Sequence, residues 1–294
     1  MSGTALGLIF VAALGHATWN LFSKQAAAGA GATLFIWLVA GTATVLYLPV
    51  VAATVLAGHS HLTAANWGFV AGTGILHSAY FLFLQRAYRA GDLSLVYPVG
   101  RGTGALLAAL AGIALLGERP AALSIAGILL IVSGIVVIGI PPRRTTPAKV
   151  SAPGWRPALG LALGTGAFIA SYTLWDKYAV STLRTPAILQ GYAAYPVMLI
   201  AFAPYVLRHR DAVVAAGRSF WRQALGAGVL SPLSYMLVLA ALSFTAVSAV
   251  APAREVSVLF GVILGRRLLG EGGLPRKLAA AAAIVAGIIA LAIG

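Results

Sequence analysis

The stretch Ala87–Glu118, AYRAGDLSLVYPVGRGTGALLAALAGIALLGE, has a counterpart at Ala241–Glu271, ALSFTAVSAVAPAREVSVLFGVILGRRLLGE. Ser94, Val96 and Pro98 fall on Ser248, Val250 and Pro252 at an offset of 154, and Gly117-Glu118 falls on Gly270-Glu271 at 153. Near the start, Asn20-Leu21-Phe22-Ser23-Lys24 falls on Thr173-Leu174-Trp175-Asp176-Lys177 at 153, and Tyr80 falls on Tyr235 at 155. A near-constant offset over so many positions reads as an internal repeat of about half the chain.

What repeats is apolar. The chain has 294 residues, of which 60% are hydrophobic and 9% charged, and its mean hydropathy is +0.94. A soluble domain carries about 25% charged residues. Ten runs long enough to span a bilayer are expected, at 3–22, 32–57, 67–87, 93–116, 122–140, 157–176, 186–207, 223–243, 247–269 and 278–294. Polar loops separate them, the longest being 141–156 and 208–222. The expected fold is an all-α polytopic membrane protein of ten transmembrane helices in two five-helix repeats. Residues 1–140 form the first repeat, 141–156 a basic connecting loop and 157–294 the second repeat. An odd number of spans per repeat inverts the second repeat in the bilayer, the architecture of secondary transporters.

Composition also excludes classes. The net charge is +14, but the Lys and Arg are scattered through short loops rather than gathered on one face, which argues for lipid head groups and against nucleic acid. There are no cysteines, so thiolate chemistry and cysteine-ligated metals are absent. No HExxH, GxSxG or P-loop motif occurs, and the glycines at 100, 102 and 104 lack the βα unit of a nucleotide loop. No enzyme, cofactor or metal is expected. His59 and His61 in a loop are too few to form a metal site. No Lys or Arg precedes Lys24, so the first 22 residues read as a retained helix rather than a cleaved leader.

Two five-helix halves, each with a proline-bearing fourth helix ending in Gly-Glu, resemble the drug/metabolite transporter superfamily, EamA type. The segments HATWNLFSK (16–24), VYPVGRGTG (96–104) and APAREVSVLF (251–260) resemble a metabolite-exporter branch of it. The resemblance covers essentially the whole chain and implies transport. It does not name a substrate, because the superfamily carries many.

Sidedness is ambiguous. The loops after spans 1, 3, 5, 7 and 9 hold 15 Lys and Arg, and those after spans 4 and 6 hold Arg119, Lys177 and Arg184. The positive-inside rule then places both termini outside, whereas the resemblance implies termini inside. Both put the termini on one side of a multi-pass protein of the plasma (cell inner) membrane.

The polar residues inside the spans are the candidate substrate site. Arg101 lies eight residues into span 4, roughly 12 Å deep, and Arg254 and Glu255 occupy the matching part of span 9. Charges at that depth are expensive and face a cavity or a partner. An inverted repeat brings these positions together, so Arg101 lines the transport site, pairs with Glu255, or does both. The three sum to +1, which favours an anionic or zwitterionic substrate held by a guanidinium fork. Pro98 and Pro252, just before them, are candidate hinge or unwinding points. His16, Trp19 and Asn20 on span 1, His77 and Tyr80 on span 3, Tyr97, Trp175 and Tyr235 complete the candidate set. Asp176 and Lys177 read as interfacial anchors, and Glu118 and Glu271 as structural ties at helix ends.

The expected function is a secondary transporter, an exporter of a small polar metabolite such as an amino acid or organophosphorus compound, working by alternating access. Its partners are the solute, membrane lipids and protons as candidate coupling ion, with a monomer as the simplest state. The rivals are a small-multidrug-like organic cation exporter, an intramembrane enzyme and a non-transporting sensor.

Overall fold

A computed structural model describes residues 1–57, 62–90, 93–139, 155–257, 260 and 274–293. The expectations for His59 and His61, the loop 141–154, Arg266, Arg267 and Glu271 fall outside the described residues, as do the side chains of Tyr97 and Pro98. The helices are α1 (Gly3–Ala30), α2 (Ala32–Leu56), α3 (Ala64–Ala90), α4 (Leu93–Leu116), α5 (Ala122–Gly139), α6 (Trp155–Ser181), α7 (Ala187–Tyr192), α8 (Ala194–Leu207), α9 (Arg210–Phe244), α10 (Val247–Ala253) and α11 (Leu274–Ile293). No strand occurs among the described residues. Seven of the helical segments are long and apolar enough to cross a membrane, and those at 122–137 and 282–291 are shorter apolar helices. Large apolar side chains such as Val45, Leu56, Leu115, Ile200 and Ile293 are more than two-thirds exposed. A surface of that kind is stable against acyl chains rather than water.

Several boundaries differ from the sequence expectation: α1 runs on to Ala30, α6 to Ser181, and α10 stops at Ala253. Two more differ for local reasons. The loop expected at 208–222 is helical from Arg210. Asp211 in its first turn suits the helix dipole, and Ala216, Phe220 and Ala224, at intervals of four, pack with Phe35 and Val39. One amphipathic face therefore carries the helix until a kink at Phe220 (φ −124°, ψ 23°). The run 186–207 is divided at Ala193 into α7 and α8. Pro196 has no N–H to give the Tyr192 carbonyl, so a rung of the ladder is missing there, yet Ala193 keeps helical angles (φ −55°, ψ −30°).

The chain forms two compact units, and both draw on both halves of the sequence. The first holds Met1–Ser2, Ala79–Leu174 and Ala246–Gly294; the second holds Gly3–Ser78 and Trp175–Thr245.

In the first unit α5 packs on α11 through small residues. A Cβ on Gly134 would lie 2.8 Å from the Ala280 carbonyl and 2.7 Å from Ile284 Cγ1. A Cβ on Gly287 would lie 2.6 Å from the Gly127 carbonyl and 2.7 Å from Ile131 Cγ1. The two sets exchange with each other when 153 is added to or subtracted from every number. As numbers rise along α5 their partners fall along α11, so these equivalent helices run antiparallel about a local two-fold axis. Ile131 and Ile284 sit at its centre, both fully buried. Small residues let membrane backbones approach this closely.

α10 leans on α4 in the same unit. Gly117 adopts φ +68°, the left-handed conformation that glycine accepts without strain. The Glu118 N–H then donates to the Gly112 carbonyl at 3.2 Å, six residues back, which closes the helix end. That turn aims the Glu118 carboxylate at the start of α10, where Oε1 accepts from Val247 N–H at 2.7 Å and Oε2 from Ser248 N–H at 2.8 Å. The Gly-Glu end is thus a cap supplied by another helix. Loss of a cap costs about 0.5–2 kcal/mol. Glu118→Ala is expected to lower the melting temperature in detergent measurably, with Glu118→Gln in between; an unchanged melting curve for both would remove this role.

In the second unit α9 packs along α1 and α2, and α2 on α7 and α8. Here too an exchange at the repeat offset appears. Phe22 Cε2 would meet a Cβ on Gly226 at 2.5 Å, and Trp175 Cζ2 would meet one on Gly72 at 2.4 Å. Trp175 is the repeat counterpart of Phe22, and Gly226 that of Gly72.

Candidate functional site

Each unit holds a buried polar cluster. In the first, α4 runs unbroken through Pro98 and presents Arg101 two turns inside it. α10 stops at Ala253, directly after Pro252. Pro252 cannot donate to the helix ladder, and the chain beyond it turns tightly: Glu255 N–H bonds the Pro252 carbonyl at 3.0 Å and Ser257 N–H the Arg254 carbonyl at 3.2 Å. Neighbouring residues in an intact helix point apart. In this turn Arg254 can reach the carboxylate of the next residue, and does so through Nε to Oε1 at 3.3 Å. Arg101 Nε donates to the other oxygen, Oε2, at 2.8 Å. Glu255 is fully buried, Arg254 is 3% exposed and the Arg101 side chain 15%. The Arg254 Nη2 group is buried with no hydrogen-bond partner among the described residues.

The glycines around Arg101 are packing positions. A Cβ on Gly104 would meet Ile169 Cγ2 at 2.6 Å, and Gly100 and Gly102 face Ala162 and Ile135. Tyr80 meets Tyr172 edge-on, with centroids 5.7 Å apart.

The second unit gathers other members of the candidate set. The Trp19 indole N–H donates to His16 Nδ1 at 3.0 Å, and Asn20 Nδ2 to the His16 carbonyl at 2.7 Å. These three form one patch on α1. Tyr235 is edge-on to His77, with centroids 5.1 Å apart, and its hydroxyl donates to Asp176 Oδ2. Trp175 stacks on Phe69 and donates to the Phe69 carbonyl at 2.9 Å.

Asp176 corrects the sequence reading. It is fully buried, because α6 continues to Ser181 rather than ending near 176. It therefore lies more than a turn inside the helix and anchors nothing at an interface. Gln190 Nε2 donates to its Oδ1 at 2.8 Å. Lys177 does act structurally: its ammonium bonds the Leu242 and Thr245 carbonyls, each at 2.8 Å, which satisfies the C-terminal end of α9. Asp176 and Gln190 were the missed members of this cluster. An acidic residue beside tryptophan and lysine looked like an interfacial girdle, and only the length of α6 tells otherwise.

No group of three or more potential metal-ligating His, Cys, Asp or Glu side chains occurs among the described residues. An open apolar groove on the second unit, lined by Leu48, Val51, Val55, Trp67 and Tyr192 among others, offers almost no polar surface to a solute.

Residues 3–140 match the model of the EamA-like transporter family. The match covers a little under half of the chain and marks that stretch as similar to the EamA-like transporters. That family is part of the drug/metabolite transporter superfamily, and the long apolar helices are those of a multi-pass membrane protein. A solved structure described only as "Crystal structure of protein" is similar over 100% of this chain and 98% of its own, with a TM-score of 0.75. At 17% identity that likeness is one of fold. No curated protein matches the chain.

Proposed function

We propose that this EamA-like transporter exports a small anionic or zwitterionic metabolite, such as an amino acid or an organophosphorus compound, by alternating access. The supporting observation is the cluster of Arg101, Arg254 and Glu255. Two guanidinium groups share one carboxylate, leaving one positive charge in excess. An Arg254 nitrogen is buried without a partner among the described residues. Buried polar groups are nearly always satisfied, and a guanidinium offers five donors in a planar fork that matches carboxylate or phosphate. A solute anion arriving there would meet donors already stripped of water.

The plasma membrane is the proposed location, with both termini on one side. The Met1 amino group lies 3.4 Å from the Leu291 carbonyl near the end of α11, which supports the shared side.

The test is thermal stabilisation of purified protein by amino acids, phosphonates, organophosphates and organic cations. An anion or zwitterion is expected to raise the melting temperature of the wild type and to lose most of that effect with Arg101→Ala. Stabilisation by organic cations, unchanged in Arg101→Ala, would replace this reading with cation export through Glu255.

A further inference from the structure

The second unit contains two acidic residues, Asp176 and Asp211. Asp211 is exposed at the start of α9. Asp176 is fully buried within α6 and takes no part in the Arg101–Glu255 cluster. A carboxylate within a spanning helix is costly and marks an ion or proton path by default. Its surroundings say which.

Every element packed around it contributes a named group. From α9, Tyr235 donates to Oδ2. From α7, Gln190 donates to Oδ1 and also to the Phe69 carbonyl at 3.2 Å. From α3, Thr73 and His77 lie near enough to act on the carboxylate. On α6 itself the neighbouring ammonium of Lys177 is committed to the end of α9. The charged or titratable groups facing Asp176 are therefore Tyr235, His77 and, next in sequence, Lys177. The two groups bonded to the carboxylate oxygens, Tyr235 O–H and Gln190 N–H, are donors rather than metal ligands. With no exposed surface, the carboxylate has room for a proton and nothing larger.

A route also exists. His77 is only partly buried, and its Nδ1 lies 3.1 Å from Thr73 Oγ1 and 2.9 Å from the Thr73 carbonyl. Thr73 is thus neighbour to both a partly exposed imidazole and a fully buried carboxylate. Imidazole is the side chain that gains and loses a proton between about pH 5 and 8. Hydroxyls both donate and accept, so Thr73 can take the His77 proton while passing its own to Asp176. Tyr235 can hold the carboxyl group in either state.

We propose that Asp176 and His77 form an exchangeable proton site, relayed by Thr73, through which the transport cycle is coupled to protons. In the loading step a protonated His77 gives up its Nδ1 proton. Asp176 gains one and becomes a neutral carboxylic acid, and His77 becomes neutral imidazole. The reverse step on the opposite side of the membrane releases the proton to water. Coupling rests on the transporter reading above; the proton site itself does not.

The deciding experiment is infrared difference spectroscopy of the purified protein titrated between about pH 5 and 8. Wild type is expected to develop a carboxylic-acid carbonyl band on acidification. Asp176→Asn, which keeps an acceptor for Tyr235, is expected to lose that band while melting like wild type, and Glu255→Gln is expected to keep it. Tyr235→Phe is expected to shift the band by removing a hydrogen bond. Absence of the band from wild type, or its persistence in Asp176→Asn, overturns the proposal. Efflux of labelled amino acid or phosphonate from vesicles reads transport separately. Where flux is seen, a pH gradient should speed wild type and leave Asp176→Asn at its rate without a gradient; equal acceleration of both overturns coupling. Vesicles that move no solute sink the transporter reading and leave the infrared result standing.

Discussion

Glu255→Ala is expected to destabilise the protein by about 3–5 kcal/mol, the usual consequence of removing one partner from a buried ion pair. The carboxylate is fully buried and each of its oxygens takes an arginine Nε, at 2.8 and 3.3 Å. Without it, Arg101 and Arg254 would face each other as like charges in a medium that screens them poorly. Arg101→Ala should cost less, because Arg254 remains on Glu255 and Arg101 is the more exposed of the two. The measurement is melting temperature and monodispersity in detergent for the two single variants and the double variant. A double variant that is milder than Glu255→Ala alone would show that the penalty lies in uncompensated charge, the mark of coupled neighbours. Equal melting of Glu255→Ala and wild type would mean that the ion cluster does not hold the first unit together.

The same cluster shows what the sequence made legible. Arg101 and Glu255 are separated by the repeat offset of 154, and an inverted repeat brings equivalent positions near its axis together. Two charges in apolar runs were therefore enough to predict their meeting. The spans were legible because about 20 apolar residues are needed to cross a bilayer and little else produces such runs.

What stayed hidden depended on facts that one dimension lacks. The helix at 210–219 hides behind a polar composition, since only one face of it is apolar and that face is narrow. Asp176 depended on where α6 ends, and helix ends are poorly marked without a cap residue. The sequence offered His16, His77, Tyr80 and Tyr235 as equals. The structure ties His16 to its own helix neighbours and gives Tyr235 and His77 to a carboxylate that had been set aside. Residue type gives chemistry; depth and facing decide whether it is used.

The packing of α5 on α11 carries the other large expected effect. Gly134 and Gly287 look alike in sequence to every other glycine in an apolar run, and the chain has 34 glycines. They differ in what surrounds them. A side chain on Gly287 would meet the Gly127 carbonyl at 2.6 Å, and one on Gly134 the Ala280 carbonyl at 2.8 Å, so backbone rather than a movable side chain stands in the way. The helices would have to separate, and overpacking of this kind costs about 1–3 kcal/mol and sometimes more. Gly287→Val and Gly134→Val are each expected to fall at or above the top of that range, seen as loss of folded protein on extraction and a large drop in melting temperature. Because the contacts exchange at the repeat offset, the two losses should be similar. Gly7→Ala is the control: nothing lies within 4 Å of a Cβ there, and alanine favours helix over glycine by up to about 1 kcal/mol, so its stability should hold or rise. Two valine variants that melt like wild type would show that α5 and α11 are not this close. A marked difference between them would show that the local two-fold axis does not relate their environments, and the structural case for an inverted repeat would go with it.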